Sequence, residues 1–420
     1  MLAPFAFSLA LQLGAALAPN TPVAGDGWTL LFDGKSTEAF RGFRQKGFPE
    51  KGWKVEDGAL RKVAGAGGGD LVTREQYRDF ELELEWKVAA GANSGLMYRS
   101  TEDLGAPWHT GIEYQILDDD KHPDGRDPRT SAAAFYALIA CEGKKLAPVG
   151  EWNRARIVAR GSRIEHWLNG VQVCSADLAS EAWAKLVGAS KFKGYESFGK
   201  AHHGHIVLQD HGDDVWYRAI RIRRLEPPVE PSGEKLELFD GKSTAGWKGI
   251  LPGAADPLQA WEIRDGVLIC KGRPIGYLRT ERTFTDFVLE LEWRFDPAKG
   301  AGNSGVLLRI QGEEKVWPRS IEAQLQSERA GDFWNIDAYP MWVEPSRTNG
   351  RHTGHTHGNE KPLGEWNHYR ITAQGGHVVL AVNGQVLNEA FDCAPLAGPI
   401  GLQSEGAEIH FRRASLQLLR

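Results

Sequence analysis

Short segments in which apolar and polar residues alternate recur along the whole chain. Between Phe80 and Trp86 every second residue is apolar, and the three residues between them are all glutamates. This period of two is typical of a β-strand with one buried and one solvated face. Asn169-Gly170 separates two such runs and is a strong hairpin signal, and there is little helical periodicity outside residues 179–187. The pattern predicts an all-β protein made of antiparallel sandwiches or barrels.

One ordered set of motifs occurs twice in the chain, about 200 residues apart. The matching segments are 31–37 and 238–244, 79–86 and 286–293, 93–95 and 303–305, 150–153 and 364–367, 169–170 and 383–384, and 208–209 and 402–403. Because their order is kept, we interpret the chain as two diverged copies of one domain, residues 25–225 and 235–420. Residues 226–234 are rich in proline, which stiffens a chain and is excluded from sheet interiors, so they are predicted to be a linker.

Charge and hydropathy restrict the partners and the location of the protein. The net charge is −5 and basic residues form no long run, which argues against nucleic acid as a partner. Residues 1–18 are apolar and end in Ala-Leu-Ala before Pro19. That ending is typical of a secretory signal peptide, and it predicts a secreted or periplasmic protein. No later stretch approaches the roughly 18 apolar residues that span a membrane, so membrane insertion is not expected. The sequence leaves the oligomeric state open.

The cysteines give limited information about metals and disulfides. Cys141, Cys174, Cys270 and Cys393 contain no CxxC pair, which argues against a thiolate zinc site. Export would permit disulfides, but the spacing does not determine which cysteines pair.

A set of polar residues is predicted to share one outward sheet face in each copy. In residues 112–116, Glu113 and Gln115 alternate with apolar residues, and Glu322 and Gln324 repeat this pattern in the second copy. The same alternation places three further side chains on these faces: Arg99, Arg309 and Gln209. A face that carries arginine, glutamate and glutamine suits a polyol. The alternative is a solvated surface with an ordinary arginine–glutamate ion pair.

The motifs together resemble the bacterial 3-keto-disaccharide hydrolase domain, once a domain of unknown function, over both copies. In the first copy the resemblance is carried by LFDG, ANSG (92–95), EYQILD (113–118), GEWN, EHWLNG (165–170) and GHIVLQDHG (204–212). In the second copy it is carried by LFDG, GNSG (302–305), residues 317–324, AGDFW (330–334) and GEWN. The resemblance implies two tandem concanavalin-A-like jelly-roll β-sandwiches. It also implies a hydrolase for glycosides whose sugar has been oxidised to a ketone at C3.

Cleavage next to such a ketone needs a base near C2, an acid for the leaving oxygen and donors to the developing enolate. On the resemblance, Glu113 is assigned as the base or acid and Arg99 as the oxyanion partner. His203 or His211 would be the second proton-transfer group. Gln115 and Gln209 would hold sugar hydroxyls. Trp108 and Trp317 precede the two glutamate strands, where they are stacking platforms or rim packing.

No cofactor is expected from the remaining candidates. Asp118 begins an acidic segment, residues 118–124, that lacks the spacing of a calcium loop. We interpret it as a loop beside the substrate and keep Ca²⁺ as a weak alternative. His352, His355 and His357 have a spacing that could bind a metal, but they lie in a glycine-bounded loop without a fixed fourth ligand, so no metal site is predicted there.

Two other functions remain open beside the 3-keto-glycoside hydrolase. The same fold and face would serve a non-catalytic carbohydrate-binding module. An ordinary laminarinase-like glucanase needs two carboxylates at a set separation, and here the strand reads Glu113-x-Gln115-x-x-Asp118. The first copy is expected to be catalytic because histidines flank its last core strand. The second is expected to bind or support through Glu322, Gln324, Arg309 and Trp317.

Overall fold

The computed structural model describes residues 23–24, 27–253, 256 and 258–420. The predicted signal peptide, residues 1–18, lies outside them. No helix in the described part of the chain is long and apolar enough to cross a membrane.

The first domain consists almost entirely of strands. Its strands are β1 (Val23–Ala24), β2 (Trp28–Phe32), β3 (Phe40–Gly42), β4 (Trp53–Glu56), β5 (Ala59–Lys62), β6 (Leu71–Thr73), β7 (Phe80–Val88), β8 (Asn93–Ser100), β9 (Ile112–Leu117), β10 (Asn153–Arg160), β11 (Arg163–Leu168), β12 (Val171–Asp177), β13 (His205–Leu208) and β14 (Val215–Arg224). Helix α1 (Glu181–Ala189) lies between β12 and β13, and short 3₁₀ turns span Pro107–His109, Pro123–Arg126 and Lys191–Gly194.

The second domain repeats this arrangement without an α-helix in its described residues. Its strands are β15 (Pro231–Glu237), β16 (Trp247–Ile250), β17 (Trp261–Arg264), β18 (Val267–Cys270), β19 (Gly276–Thr280), β20 (Phe287–Phe295), β21 (Gly305–Gln311), β22 (Arg319–Gln324), β23 (Phe333–Ile336), β24 (Trp342–Val343), β25 (Thr348–Asn349), β26 (His352–Thr353), β27 (Asn367–Gln374), β28 (His377–Val382), β29 (Gln385–Phe391), β30 (Gly401–Ser404) and β31 (Ile409–Leu419). A 3₁₀ turn spans Pro345–Arg347.

Each domain is a sandwich of two antiparallel sheets. In the first domain the back sheet has the order β1-β2-β14-β7-β10-β11-β12, with β5 and β4 attached through β14, and the front sheet has the order β3-β6-β13-β8-β9. In the second domain the back sheet is β17-β18-β31-β20-β27-β28-β29-β24, with β15 on β31, and the front sheet is β16-β19-β30-β21-β22-β23-β26-β25. The predicted all-β fold of two tandem jelly-roll sandwiches is therefore confirmed.

The apolar positions of the alternating strands form a separate core inside each sandwich. Trp86 and Trp293 occupy equivalent places on β7 and β20 and are fully buried. The alternate glutamates were expected to be solvated, but Glu81 and Glu83 are buried as well. Arginines from the neighbouring strands β10 and β14 cover them, and Arg154 and Arg221 each lie 2.6 Å from the Glu83 carboxylate. Charge pairing therefore replaces solvent on this face of the back sheet.

The two domains contact each other through buried charges. Arg224, at the end of β14, pairs with Glu75 at 2.7 Å and with Glu389 of the second domain at 2.5 Å. Arg347 of the second domain binds the same Glu75 at 2.9 Å, and His377 binds Glu389 at 2.9 Å. We call these five residues the Arg224 cluster. Burial alone would raise the pKa of Glu389, but His377 and Arg224 outweigh it and lower it to about 2.

The predicted linker is shorter in the structure than in the sequence analysis. Its last residues, from Pro231, belong to β15, which pairs only with β31 among the described strands. A proline is tolerated there because an edge strand leaves one side of its backbone unpaired. Glu226, at the start of the linker, binds Arg370 of the second domain at 2.8 Å.

Candidate active site

The front sheet of the first domain carries an isolated glutamate on its edge strand, β9. Glu113 lies on β9 directly opposite Met97 of β8, and it is only 7% exposed. Its carboxylate lies over Gly95, where the Cβ of any other residue would collide with Oε1. Any larger residue at the glycine of the Asn-Ser-Gly motif would therefore have to displace this carboxylate.

The surroundings of Glu113 favour its protonated form. Burial raises the pKa of Glu113 to about 8, with Asp70 and Asp124 adding to the rise and the Lys191 ammonium opposing it. These charges act through space, since no hydrogen bond to the carboxylate from the described residues contributes to the shift. A carboxyl group that titrates near neutral pH can act either as an acid or as a base.

A tyrosine and a lysine form one side of the site. The Tyr136 backbone N–H donates to the Glu113 carbonyl at 3.1 Å, which places this residue beside the glutamate on the sheet edge. Its hydroxyl donates to Asp124 Oδ2 at 3.1 Å. Lys191 Nζ lies 4.0 Å from the centre of the Tyr136 ring. Lys191 is exposed, so its ammonium can face a bound ligand.

The segment after β13 forms the opposite side of the site. The Gln209 backbone N–H donates to the Gly95 carbonyl at 3.0 Å, and its side-chain Oε1 is buried without a hydrogen-bond partner among the described residues. His211 is exposed, and its charge acts on Asp70, whose pKa burial raises to about 6. Asp70 in turn acts on Glu113. The segment that carries Gln209 and His211 therefore lies beside Glu113.

An aromatic surface adjoins the glutamate. Trp108 packs against the apolar outer patch of the front sheet, which consists of Val72, Met97 and Val207. Tyr195 meets Trp108 edge-on at 5.0 Å and stacks on His109 at 4.4 Å between ring centres. Because Met97 is the cross-strand neighbour of Glu113, this half-buried aromatic group lies on the same face of the front sheet as the carboxyl group, where a sugar-stacking platform would lie.

The second domain contains a counterpart of this arrangement. Glu322 is 5% exposed, and a Cβ at Gly305 would lie 2.5 Å from both Glu322 Oε1 and Gln403 Oε1. Burial raises the pKa of Glu322 to about 8, Glu405 adds to the rise, and Gln403 and Arg351 oppose it. Burial also raises the pKa of Glu405 to about 7.

The neighbours of Glu322 differ from those of Glu113. Trp334 is the cross-strand partner of Glu322, and the Arg351 guanidinium lies 6.0 Å from its ring. Trp317 is 42% exposed. Glu405 occupies the place of His211, so the second copy also carries a titratable group at the end of its last front strand, although not a histidine.

The expected positions of Arg99 and Arg309 on the front face are wrong. Both residues have a left-handed backbone, with φ near +50°, which breaks the alternation of β8 and β21 and turns the side chains away from the glutamates. Arg99 donates to the carbonyls of Arg78 and Gly161 at 2.7 and 2.8 Å. Arg309 likewise donates to the carbonyls of Thr285, Gly375 and Ala394. Both are buried residues that join loops within their own domain.

Three further candidate side chains form hydrogen bonds with the backbone. Gln115 Nε2 donates to the Thr130 carbonyl at 3.2 Å while its Oε1 accepts from the Ile116 N–H. Gln324 Oε1 accepts from the N–H groups of the two residues that follow it. Asp118 accepts from the N–H groups of Gly91, Asp120 and Lys121. The backbone therefore holds both polar atoms of Gln115, the oxygen of Gln324 and the carboxylate of Asp118, which is committed to its own loop.

His203 lies at the interface between the domains rather than beside Glu113. Its ring stacks on Phe391 at 4.3 Å and meets Trp342 at 5.0 Å. The cavity next to it has a volume of about 1050 Å³. Its lining includes neither Glu113 nor Glu322. We place the site at Glu113, because a buried carboxyl group with a raised pKa is the feature that proton transfer requires.

The histidine loop of the second domain is held by a carboxylate. Asp332 lies 2.7 Å from His352 Nε2 and 2.5 Å from His355 Nδ1. Within the described residues, the one group of three potential metal ligands is elsewhere, formed by Asp296, Glu408 and His410. His410 is already hydrogen-bonded to Glu408 at 3.1 Å, so we do not assign a metal site to this group.

Sequence reasoning missed Lys191, Tyr136 and Asp70 as neighbours of Glu113. A signal for Lys191 was present, since the connection between β12 and β13 spans residues 178–204 whereas its counterpart in the second copy spans only 392–400. An insertion in one copy of a duplicated domain is where a difference in chemistry is expected. Tyr136 and Asp70 lie in irregular segments that give no periodic signal.

Comparison with known proteins identifies relatives for both halves of the chain. A family model described as the 3-keto-alpha-glucoside-1,2-lyase-like domain matches residues 27–223 and 234–417. The chain is 36% identical over 251 residues to the 3-keto-disaccharide hydrolase of Bacteroides thetaiotaomicron, an alignment that covers 52% of this chain and 86% of that protein.

Solved structures of similar fold each match about half of the chain. A candidate glycosyl hydrolase from Parabacteroides distasonis is 31% identical with a TM-score of 0.45, covering 49% of this chain and 99% of its own. A β-1,3-1,4-glucanase from a mouse hindgut metagenome is 11% identical with a TM-score of 0.31, covering 44% of this chain and 97% of its own.

Proposed function

The chain belongs to the family of 3-keto-alpha-glucoside-1,2-lyase-like domains, and we propose from that premise that it cleaves glycosides oxidised to a ketone at C3, with the first domain as the catalytic one. The observation that carries the proposal is Glu113, a buried carboxyl group with a pKa raised to about 8 that lies between an ammonium group, an exposed histidine and an aromatic surface.

The ketone determines the reaction that such a site would perform. It acidifies the C2 proton, so a base can remove that proton while the C1–oxygen bond breaks and the leaving oxygen takes up a proton. Water then adds across the resulting C1=C2 bond, with its oxygen at C1 and its hydrogen at C2. One proton donor, one proton acceptor and a cation near the ketone oxygen are sufficient for this sequence.

The residues around Glu113 supply these three roles in the proposal. Glu113 is largely protonated at neutral pH because of its raised pKa, so it donates to the leaving oxygen. His211 accepts the C2 proton, and Asp70 stabilises the resulting imidazolium. Lys191 faces the enolate oxygen, the role first expected of Arg99. Trp108 and the partly exposed side chain of Gln209 bind the sugar.

An ordinary retaining glucanase is disfavoured in the first domain by the same contacts. That mechanism needs a second carboxylate about 5 Å from the first. Asp118, the candidate on this strand, is held by three backbone N–H groups of its own loop. A purely carbohydrate-binding role leaves the combination of Glu113 with Lys191 and His211 without a use.

The experiment compares a 3-keto-disaccharide with its unoxidised parent in deuterium oxide. We expect cleavage of the 3-keto substrate only, with one deuterium at C2 of the released sugar, read by mass spectrometry and proton NMR. A sample of the 3-keto monosaccharide without enzyme corrects for spontaneous exchange. Cleavage of the parent at a similar rate would instead support the glucanase. Binding without cleavage would support the carbohydrate-binding module.

We also propose that the protein is exported and that it needs no metal for this reaction. The support for export is the predicted signal in residues 1–18, and the support for metal independence is that the roles above are filled by protein side chains. An N-terminus near Pro19 in protein from the native host would confirm export, whereas an intact Met1 in a cytoplasmic fraction would contradict it. Full loss of activity after dialysis against a chelator, restored by a divalent cation, would contradict the second proposal.

A further inference from the structure

Two of the four cysteines lie next to each other in the first domain. Cys141 Sγ and Cys174 Sγ are 3.6 Å apart, although 33 residues separate them in the chain. Both side chains are partly exposed. Cys270 and Cys393 are buried, and each sulfur donates to a backbone carbonyl.

The pair bridges the two sheets at the open edge of the sandwich. Cys174 lies on β12, the edge strand of the back sheet. Cys141 follows a segment that extends the front sheet past β9, where the Ala133 N–H donates to the Gln115 carbonyl at 2.8 Å. The next residue, Glu142, donates its N–H to the Val173 carbonyl at 2.8 Å. This backbone bond fixes Cys141 beside Cys174.

In the second domain the two sheets are connected at the same edge by different groups. Asn388 occupies the place of Cys174, since it lies opposite Leu380 just as Cys174 lies opposite His166. Its amide donates to the carbonyls of Gly331 and Gly354 at 3.1 and 3.3 Å. Hydrogen bonds therefore connect the two sheets in the second domain at the position where the first domain has two sulfurs.

We propose that Cys141 and Cys174 form a disulfide when the protein meets a small-molecule disulfide such as oxidised glutathione. Cys141 as thiolate attacks the small disulfide and releases one glutathione thiolate. Cys174 then attacks the mixed disulfide at the Cys141 sulfur and releases the second glutathione. In sum, two protein thiols and one glutathione disulfide become one protein disulfide and two glutathione thiols.

The local environment selects the attacking sulfur. The hydrogen bond from Cys174 lowers the pKa of Cys141, and the nearby Lys144 ammonium acts in the same direction. The same hydrogen bond, together with burial, raises the pKa of Cys174. The thiolate is the reactive form of cysteine, so Cys141 is the first to react.

The crosslink would hold the loop that forms one side of the site. The segment between Gln115 and Cys141 includes Tyr136 and Asp124, which lie beside Glu113. A covalent connection at Cys141 restricts this segment in the unfolded chain and, through the sheet extension, in the folded one. The proposed disulfide is independent of the proposed reaction, because it involves no residue assigned to that chemistry.

The test counts thiols in the full chain after incubation with oxidised glutathione or with dithiothreitol. Denaturation followed by thiol titration should find two thiols in the oxidised sample and four in the reduced one, and peptide mapping should recover Cys141 joined to Cys174. The oxidised protein should melt about 5 to 15 °C higher, as expected for a disulfide closing a loop of this size in a domain of this size.

The controls separate this pair from the other cysteines. Cys174→Ser should abolish the difference in Tm between the oxidised and reduced protein, whereas Cys393→Ala should keep it. Four thiols in the oxidised wild-type protein, or a disulfide that joins Cys270 or Cys393 instead, would overturn the proposal.

Discussion

The two domains place a glutamate at the same point of the front sheet and surround it with different charges. Glu113 and Glu322 both lie over a glycine, and burial raises the pKa of each to about 8. In the first domain the neighbours include Lys191 and His211, whereas in the second Glu405 stands where His211 does. The buried carboxyl group thus comes from the shared sandwich, and the groups that could exchange protons with it come from the loops.

The largest expected difference between the two sites is in turnover. Glu113→Gln keeps the shape of the side chain but removes its titration, so kcat on a 3-keto-disaccharide should fall about a hundredfold or more. Glu322→Gln, the matched change in the second domain, should stay within about threefold of the wild type. A circular dichroism spectrum of each variant controls for folding. The reverse pattern would make the second domain the catalytic one.

A second pair of variants should show that the domains are alike in their buried arginines. Arg99→Met removes the donor to two backbone carbonyls and Arg309→Met the donor to three. Each change should lower the free energy of unfolding by about 3 kcal/mol. Calorimetry should show the loss in both, with kcat of the folded protein unchanged. A fall in kcat for Arg99→Met without a loss of stability would return Arg99 to the site.

The pH dependence of stability should be similar for the two glutamates. Each has a folded pKa of about 8 against an ordinary value of 4.5. Between these two values the glutamate ionises more readily in the unfolded chain than in the folded protein. The free energy of unfolding therefore falls as pH rises from 4.5 through 8. Glu113→Gln and Glu322→Gln should therefore each be more stable than the wild type at pH 8, by roughly 1 to 3 kcal/mol. The gain should disappear near pH 4 in thermal melts. A gain that persists at pH 4 would show that titration is not its source.

The smallest expected difference concerns the two tryptophans. Trp108→Ala removes the aromatic platform beside Glu113 and should raise KM about 3- to 10-fold, the equivalent of one stacking contact. Trp317→Ala removes an exposed side chain from the second domain and should leave KM within twofold. An equal rise in both would indicate that the substrate spans both domains.

The fold was predictable because its signals are local and repeated. Alternation within the strands predicts the sandwich. Asn169-Gly170 and Asn383-Gly384 form hairpin turns with the positive φ angles that such turns require. The repeat of these signals gives the second domain without any knowledge of long-range contacts.

The site was predictable only in part, because its groups come from elements of different kinds. Glu113 lies on a regular strand, and strand periodicity places it correctly. Arg99 lies on the same sheet, but its φ of +50° reverses the side chain, and period-two reasoning assumes extended backbone throughout. Lys191 comes from an insertion whose path depends on tertiary packing. His203 faces the other domain, a contact that no single-domain pattern contains.

The Arg224 cluster affects what happens when the chain is cut. Glu389 and Arg224 are both nearly inaccessible to solvent in the intact chain. Separated halves would keep the Arg224–Glu75 and Glu389–His377 pairs, but they would lose the ion pairs between the domains and expose the surface that the interface covers. A protease that cleaves the exposed part of the linker would leave two fragments whose best partners are each other. The nicked protein would then persist as a two-fragment complex. Either half expressed alone would aggregate or be degraded rather than accumulate as an independent domain.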